Sequence, residues 1–266
     1  MGERNQRTTR SHSARWLALP MLTVALLEGG SPETYGDPVK LGNGTARTFI
    51  VTEGDRPTEI GIALTETALT GLPGHNEVGA FQMPDGHSMY EYVLPLPVEN
   101  PTPFKHVVLN WNPGGHEPKG VYNTPHFDFH FYTIDAALRS TIDPRDSTFM
   151  RKAELKPAAE FIPEGYAYAE GTLVPGMGVH WIDPKSPEFN GIPFTRTFIF
   201  GAWDGKLTFA EPMVTKAYLE SKPDSTFPVP RAKTYDGPGY HPTNYRVRWD
   251  GDRREYRVSI GGLERH

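Results

Sequence analysis

One stretch limits what this chain can fold into more than any other. Thr124 to Ile134 read TPHFDFHFYTI, with His126, Asp128 and His130 alternating with Phe127, Phe129 and Phe131. Period-two alternation is the pattern of an extended strand, whose successive side chains point to opposite faces. One face of this strand is aromatic and belongs against a core. The other carries two imidazoles and a carboxylate, which bind protons or metal ions.

The rest of the chain repeats the strand pattern. Gly (27) and Pro (26) make up about a fifth of the 266 residues, against roughly 12 % in ordinary domains. They are spread out, punctuating short apolar runs as turns do. Strands are predicted over Thr45–Glu53, Thr58–Thr65, Ser88–Pro97, Phe104–Asn112 and Gly176–Asp183. A hairpin is predicted in TRTFIFGAWDGKLTFAEPMV, turning at Asp204-Gly205, a type I′ signal. Three short helices are expected, over Asp135–Thr141, Asp143–Leu155 and Thr215–Ser221, with Asp caps for the first two. The terminal YRVRW…REYRVSI reads as a hairpin with a solvated charged face. The fold class is mainly β, an antiparallel β-barrel or sandwich with a few short helices. Residues 31–221 form the β-barrel-like domain. Residues 222–266 form a Pro/Gly-rich linker, Lys222 to Pro242, and a C-terminal hairpin extension.

Composition excludes several functions. A net charge of −5 provides no overall attraction to nucleic acid. The chain has no cysteine, hence no disulfide, zinc-thiolate site, thiol nucleophile or lipid-anchor cysteine. Residues 1–30 read as a signal peptide: a basic segment with Arg4, Arg7, Arg10 and Arg15 precedes the 12-residue apolar run Trp16–Leu27. That run is too short to span a bilayer. The expectation is an exported protein, periplasmic or secreted, with no membrane span after signal removal.

Potential chemistry sits in four places: His116 and Glu117 in GGHEP, the His126/Asp128/His130 face, His180 in GVHW and Glu211 in FAEPM. Three histidines and a carboxylate drawn from several strands suit a divalent transition metal: zinc, iron, manganese or copper. Strand residues i and i+2 lie about 7 Å apart and i and i+4 about 13 Å apart, against metal–nitrogen bonds of about 2.1 Å. Of His126 and His130, one is therefore expected to ligate and the other to stand outside. The preferred set is His130, His180 and Glu211, with His126 or Asp128, and His116 at the rim. Glu211 would be a ligand or general base, and Asp128 a ligand or the group that orients a histidine. The competing readings of the same face are metal-free acid–base chemistry and ordinary sheet polarity. His75, His87, His106, His241 and His266 are read as structural or surface residues. Tyr90, Tyr92, Trp111, Tyr122, Trp181 and Trp203 are read mainly as core.

Four blocks, NWNPGGHEP, PHFDFHFY, PGMGVHW and TFIFGAWDGKLTFAEPMVT, together resemble an uncharacterised family of exported bacterial β-barrel-like proteins, first known from an extracytoplasmic sigma-factor regulon. The resemblance covers about Phe104 to Leu219. It implies an exported β protein and a homo-oligomer, and no activity. A looser resemblance to cupin metal sites departs from their pattern: cupins place two histidines at i and i+2, where this chain pairs Asp128 with each histidine. The leading expectation is an exported metalloprotein, potentially an enzyme acting on a small molecule. Its rivals are a non-catalytic envelope-stress or oligomeric structural protein without metal, and a barrel binding carbohydrate or lipid through its aromatics.

Overall fold

Short alternating runs bounded by Gly, Pro and Asp become strands joined by tight turns in the computed structural model, which describes residues 31–83 and 86–266 together with Met1. The expected signal peptide, Met1 apart, lies outside the described residues. A first sheet contains β1 (Glu33–Tyr35), β2 (Val39–Leu41), β3 (Gly44–Glu53) and β4 (Arg56–Thr65). The chain then enters a second sheet through β5 (Phe81–Gln82), β6 (Ser88–Leu94), β7 (His106–Asn112) and β8 (His126–Tyr132). Helices α1 (Ala136–Ser140) and α2 (Phe149–Glu154) lead to the far edge of that sheet. There β9 (Ala167–Val174), β10 (Gly178–Ile182), β11 (Arg196–Trp203) and β12 (Lys206–Thr215) run back inward. Helix α3 (Lys216–Glu220) returns the chain to the first sheet through β13 (Asp224–Pro228), β15 (Asn244–Asp250) and β16 (Glu255–Gly261). Strands β14 (Tyr240–His241) and β17 (Glu264–Arg265) pair separately.

The second sheet has the order β5-β6-β7-β8-β12-β11-β10-β9, antiparallel throughout. It is two four-stranded meanders joined along β8 and β12, and it curls into a half-barrel. That topology puts the histidine strand β8 at the centre and brings residues more than 80 positions away beside it.

The two sheets pack face to face. Phe127, Phe129 and Phe131 of β8 meet Leu109 and Trp111, Phe198 and Phe200, and on the opposite sheet Ile60, Ile62, Val258 and Ile260. Burial of these large side chains, at about 25 cal/mol per Å² of apolar surface, is the main cohesive term. The aromatic half of the alternation therefore faces the sandwich core, and the polar half faces the other side of the half-barrel.

Local signals behave as their chemistry requires. Asp204 and Gly205 both take positive φ (50° and 79°), as a type I′ turn needs. Asp135 caps α1, its carboxylate accepting from Leu138 N at 2.8 Å. Helix α2 is shorter than expected. Asp143 and Asp146 accept hydrogen bonds from the backbone N–H groups of Arg145 and Thr148, and these Asx turns hold the segment out of helix. Two further expectations are corrected. The Lys222–Pro242 linker contains β13, paired with β15, and β14, because the polar/apolar alternation of Asp224–Pro228 lies between prolines. The terminal hairpin is solvated on one strand only: Arg246 and Arg248 of β15 are half-exposed, whereas β16 is buried along its whole length between β4 and β15. Arg257 is buried there because Glu33 accepts its hydrogen bond and its guanidinium lies 3.7 Å over the Phe49 ring.

Candidate functional site

Strand register builds the polar face. Across β7 and β8, Asn112 stands opposite His126, Asn110 opposite Asp128 and Val108 opposite His130. Across β12 and β8, Ala210 pairs with Phe131 and Met213 with Asp128, so Glu211 falls level with His130. His180 on β10 is two strands beyond β12 and pairs with Gly201 of the intervening β11. Gly201 explains how His180 reaches inward. A Cβ at that position would lie 1.9 Å from Phe209 Cε1, so the glycine leaves room for the Phe209 ring, which packs edge-on against both His130 and His180. Apolar clusters seal the strip at both ends: Tyr132, Met177 and Phe209 at one, Tyr122, Phe194, Ile199 and Met213 at the other. His126, Asp128, His130, His180 and Glu211 are all buried.

The sequence-predicted residues fall into two groups. In the outer group, His116, His126 and Asp128 offer ligand atoms that all lie within 4.8 Å of one another. Asp128 Oδ1 lies 3.1 Å from His126 Nε2, and Asp128 Oδ2 lies 3.7 Å from His116 Nε2. In the inner group, Glu211 Oε2 lies 3.4 Å from His130 Nε2 and 3.9 Å from His180 Nε2. The preferred set of the sequence is thus divided: His126 stands with Asp128 and His116, and His130 and His180 stand with Glu211. His116 comes from the β7–β8 loop, where Gly115 adopts a φ of 73°. A Cβ on Gly115 would strike the Tyr122 carbonyl oxygen at 2.0 Å.

Hydrogen bonds determine the tautomers. His116 Nδ1 lies 2.6 Å from the Glu117 carbonyl, His126 Nδ1 2.7 Å from that of Thr124, and His180 Nδ1 2.8 Å from that of Thr172. A carbonyl oxygen only accepts, so each Nδ1 donates, and in the neutral ring each Nε2 carries a lone pair. Those lone pairs are turned towards carboxylates. His126 Nε2 and Asp128 Oδ1 are close but not aligned for a hydrogen bond, and both are buried without a partner. Asp128 Oδ2 accepts from Asn112 Nδ2 at 2.7 Å. Asn112 is a site residue that the sequence reading took only as part of a strand. The signal was present in LNWN, whose Asn110 and Asn112 alternate with Leu109 and Trp111 in step with β8.

The electrostatics oppose one another. Burial alone would raise the Asp128 carboxyl. The neighbouring His126 and His116 rings outweigh burial and hold it well below the usual carboxylate range. Glu211 is held well above that range by burial and then by the charge of Asp128. Burial pushes His130 down to about 3 and His180 to about 4. The face therefore combines the neutral imidazoles of His130 and His180 with one carboxylate, Asp128, and one carboxyl held towards its protonated form, Glu211.

Of the remaining histidines, His106 stands apart from these groups and His87 lies beside the outer one. His106 is buried, bonded to the Ile134 carbonyl and stacked on Tyr132. The His87 ring lies 5.6 Å from that of His116. Tyr90, Trp111, Trp181 and Trp203 are core, while Tyr122 lies against His116 and His126. A cavity of about 620 Å³ is lined by Phe104, Phe161, Phe200, Leu207, Phe209 and Val229.

Comparison with known proteins is sparse. Residues 53–111 match the TTHB210-like family, described as hypothetical protein TTHB210. The match runs from the end of β3 to Trp111 of β7, so it stops before the first candidate ligand, His116. That family is uncharacterised. No curated protein and no solved structure matches the chain. No helix among the described residues is long and apolar enough to cross a membrane.

Proposed function

We propose that this protein is a metal-binding β protein whose divalent transition-metal centre is formed by His116, His126 and Asp128. The observation that carries the reading is the pair His126 Nε2 and Asp128 Oδ1: 3.1 Å apart, buried, and partnered by nothing. A lone pair facing a carboxylate at that distance is repulsive unless a proton or a cation lies between them. The carbonyl bonds to Nδ1 of His116 and His126, and the Asn112 bond to Asp128, are the supporting contacts that orient metal ligands. Two imidazoles and one carboxylate without thiolate suit zinc, iron or manganese. Three protein ligands leave room for water or a small molecule, which is the arrangement of a reactive rather than a purely structural centre.

Elemental analysis of the untagged protein tests this. After loading with zinc, manganese or ferrous iron and desalting, bound metal is expected in the wild type and about one equivalent less in His126→Ala and Asp128→Asn. Circular dichroism would show that both variants keep the β fold. Equal metal content in wild type and both variants would refute the assignment.

A further inference from the structure

We infer that Glu211, His130 and His180 form a second, separate cation site, which makes the polar face a binuclear centre. The inference rests on the reading of this face as a metal centre, but on different atoms. Glu211 Oε2 is 3.4 Å from His130 Nε2 and 3.9 Å from His180 Nε2. Two ligands of one tetrahedral ion, each bonded at about 2.1 Å, stand about 3.4 Å apart. As they stand, the carboxylate is near both rings but the two imidazole nitrogens are more than 4.8 Å apart, so a shared cation would have to draw His130 and His180 together around Glu211.

The donors are prepared for it. The Thr172 carbonyl takes the Nδ1–H of His180, which leaves its Nε2 lone pair directed at Glu211. Both nitrogens of the fully buried His130 lack a hydrogen-bond partner, and so does Glu211 Oε2. Leaving such groups unpartnered costs free energy that a bound ion would recover. Phe209 packs edge-on against both rings and fixes their orientation.

This group is distinct from the outer one. Asp128 and His130 are i and i+2 on β8, about 7 Å apart along the strand, so two ions would occupy neighbouring positions on one face. The donors are two nitrogens and an oxygen, which selects zinc, manganese, ferrous iron or cobalt over calcium and magnesium, whose sites are built from oxygen.

Stoichiometry decides between one ion and two. The metal-free, untagged full chain would be loaded with excess zinc or cobalt, desalted, and its metal counted per chain by mass spectrometry. About two equivalents are expected in the wild type and about one in each of Glu211→Gln and His126→Ala. His180→Ala replaces Glu211→Gln if the latter does not fold. One equivalent in the wild type, retained in Glu211→Gln and His180→Ala, would overturn the second site and leave the outer one standing. Loss in Glu211→Gln without loss in His126→Ala would support the inner site and refute the outer. No bound metal in the wild type would overturn both.

Discussion

Replacing Asn112 by alanine removes one hydrogen bond, the 2.7 Å contact from its Nδ2 to Asp128 Oδ2. Both residues are buried, so water cannot substitute freely. A hydrogen bond to a charged group contributes about 1.5–3 kcal/mol. At about 1.4 kcal/mol per tenfold change, its loss should weaken metal binding at the outer group by about 10–100-fold. His116 and His126 retain their carbonyl contacts, so affinity should fall without vanishing. Competition between the metal-free protein and a chromophoric chelator would measure the change. Asn110→Ala is the control: Asn110 stands opposite Asp128, but neither of its polar side-chain atoms has a hydrogen-bond partner. It should change affinity by less than about threefold, since it orients no ligand. Wild-type affinity in Asn112→Ala would refute the claim that Asn112 positions the carboxylate. A loss equal to that of Asp128→Ala would contradict the expected partial loss, since it would mean that Asp128 cannot ligate at all without Asn112.

Other consequences follow from the same structure. Glu211 keeps its proton above the ordinary value of 4.5, so above that pH the fold binds a proton that the unfolded chain has lost, and metal-free stability is lost as pH rises. Glu211→Gln should therefore raise the metal-free melting temperature, relative to wild type, more at pH about 8 than at pH about 5; an equal gain at both would contradict this. His180, held at about 4, has the opposite sign: its contribution is present above about 6.5 and lost as pH falls, so His180→Gln should flatten the fall in melting temperature between pH about 7 and about 5. Gly201→Ala places a Cβ against the Phe209 ring and should cost about 1–3 kcal/mol by overpacking; an unchanged denaturation midpoint would show that the ring moves freely. Arg257→Met removes one of the two guanidinium groups facing buried Glu33, leaving Arg253 at 3.3 Å and the Tyr35 hydroxyl, and should cost about 1.5–3 kcal/mol, with part of it recovered by adding Glu33→Gln.

The strand of TPHFDFHFYTI was legible because period-two alternation has one physical meaning, and its two faces separate in the fold as the pattern requires. The β class, the Asp204-Gly205 turn and the Asp135 cap were legible for the same kind of local reason. The short strands β1, β2 and β5 carry too few residues to show a period, and β13 is masked by flanking prolines. The burial of β16 could not be read locally, because Arg257 looks solvated until Glu33, more than 200 positions earlier, is placed beside it. The division of the site into two groups depends on long-range register. Spacing along β8 already indicated that His126 and His130 cannot easily share an ion. Which carboxylate each would meet depends on β12 pairing with β8, and no local pattern encodes that.

The central claim concerns the location of one ion, and anomalous diffraction locates it. Crystals of the zinc-loaded protein, measured on both sides of the zinc absorption edge, should show a peak about 2.0–2.2 Å from His116 Nε2, His126 Nε2 and an Asp128 carboxylate oxygen. A fully loaded crystal with no peak within coordinating distance of these three atoms would contradict the account.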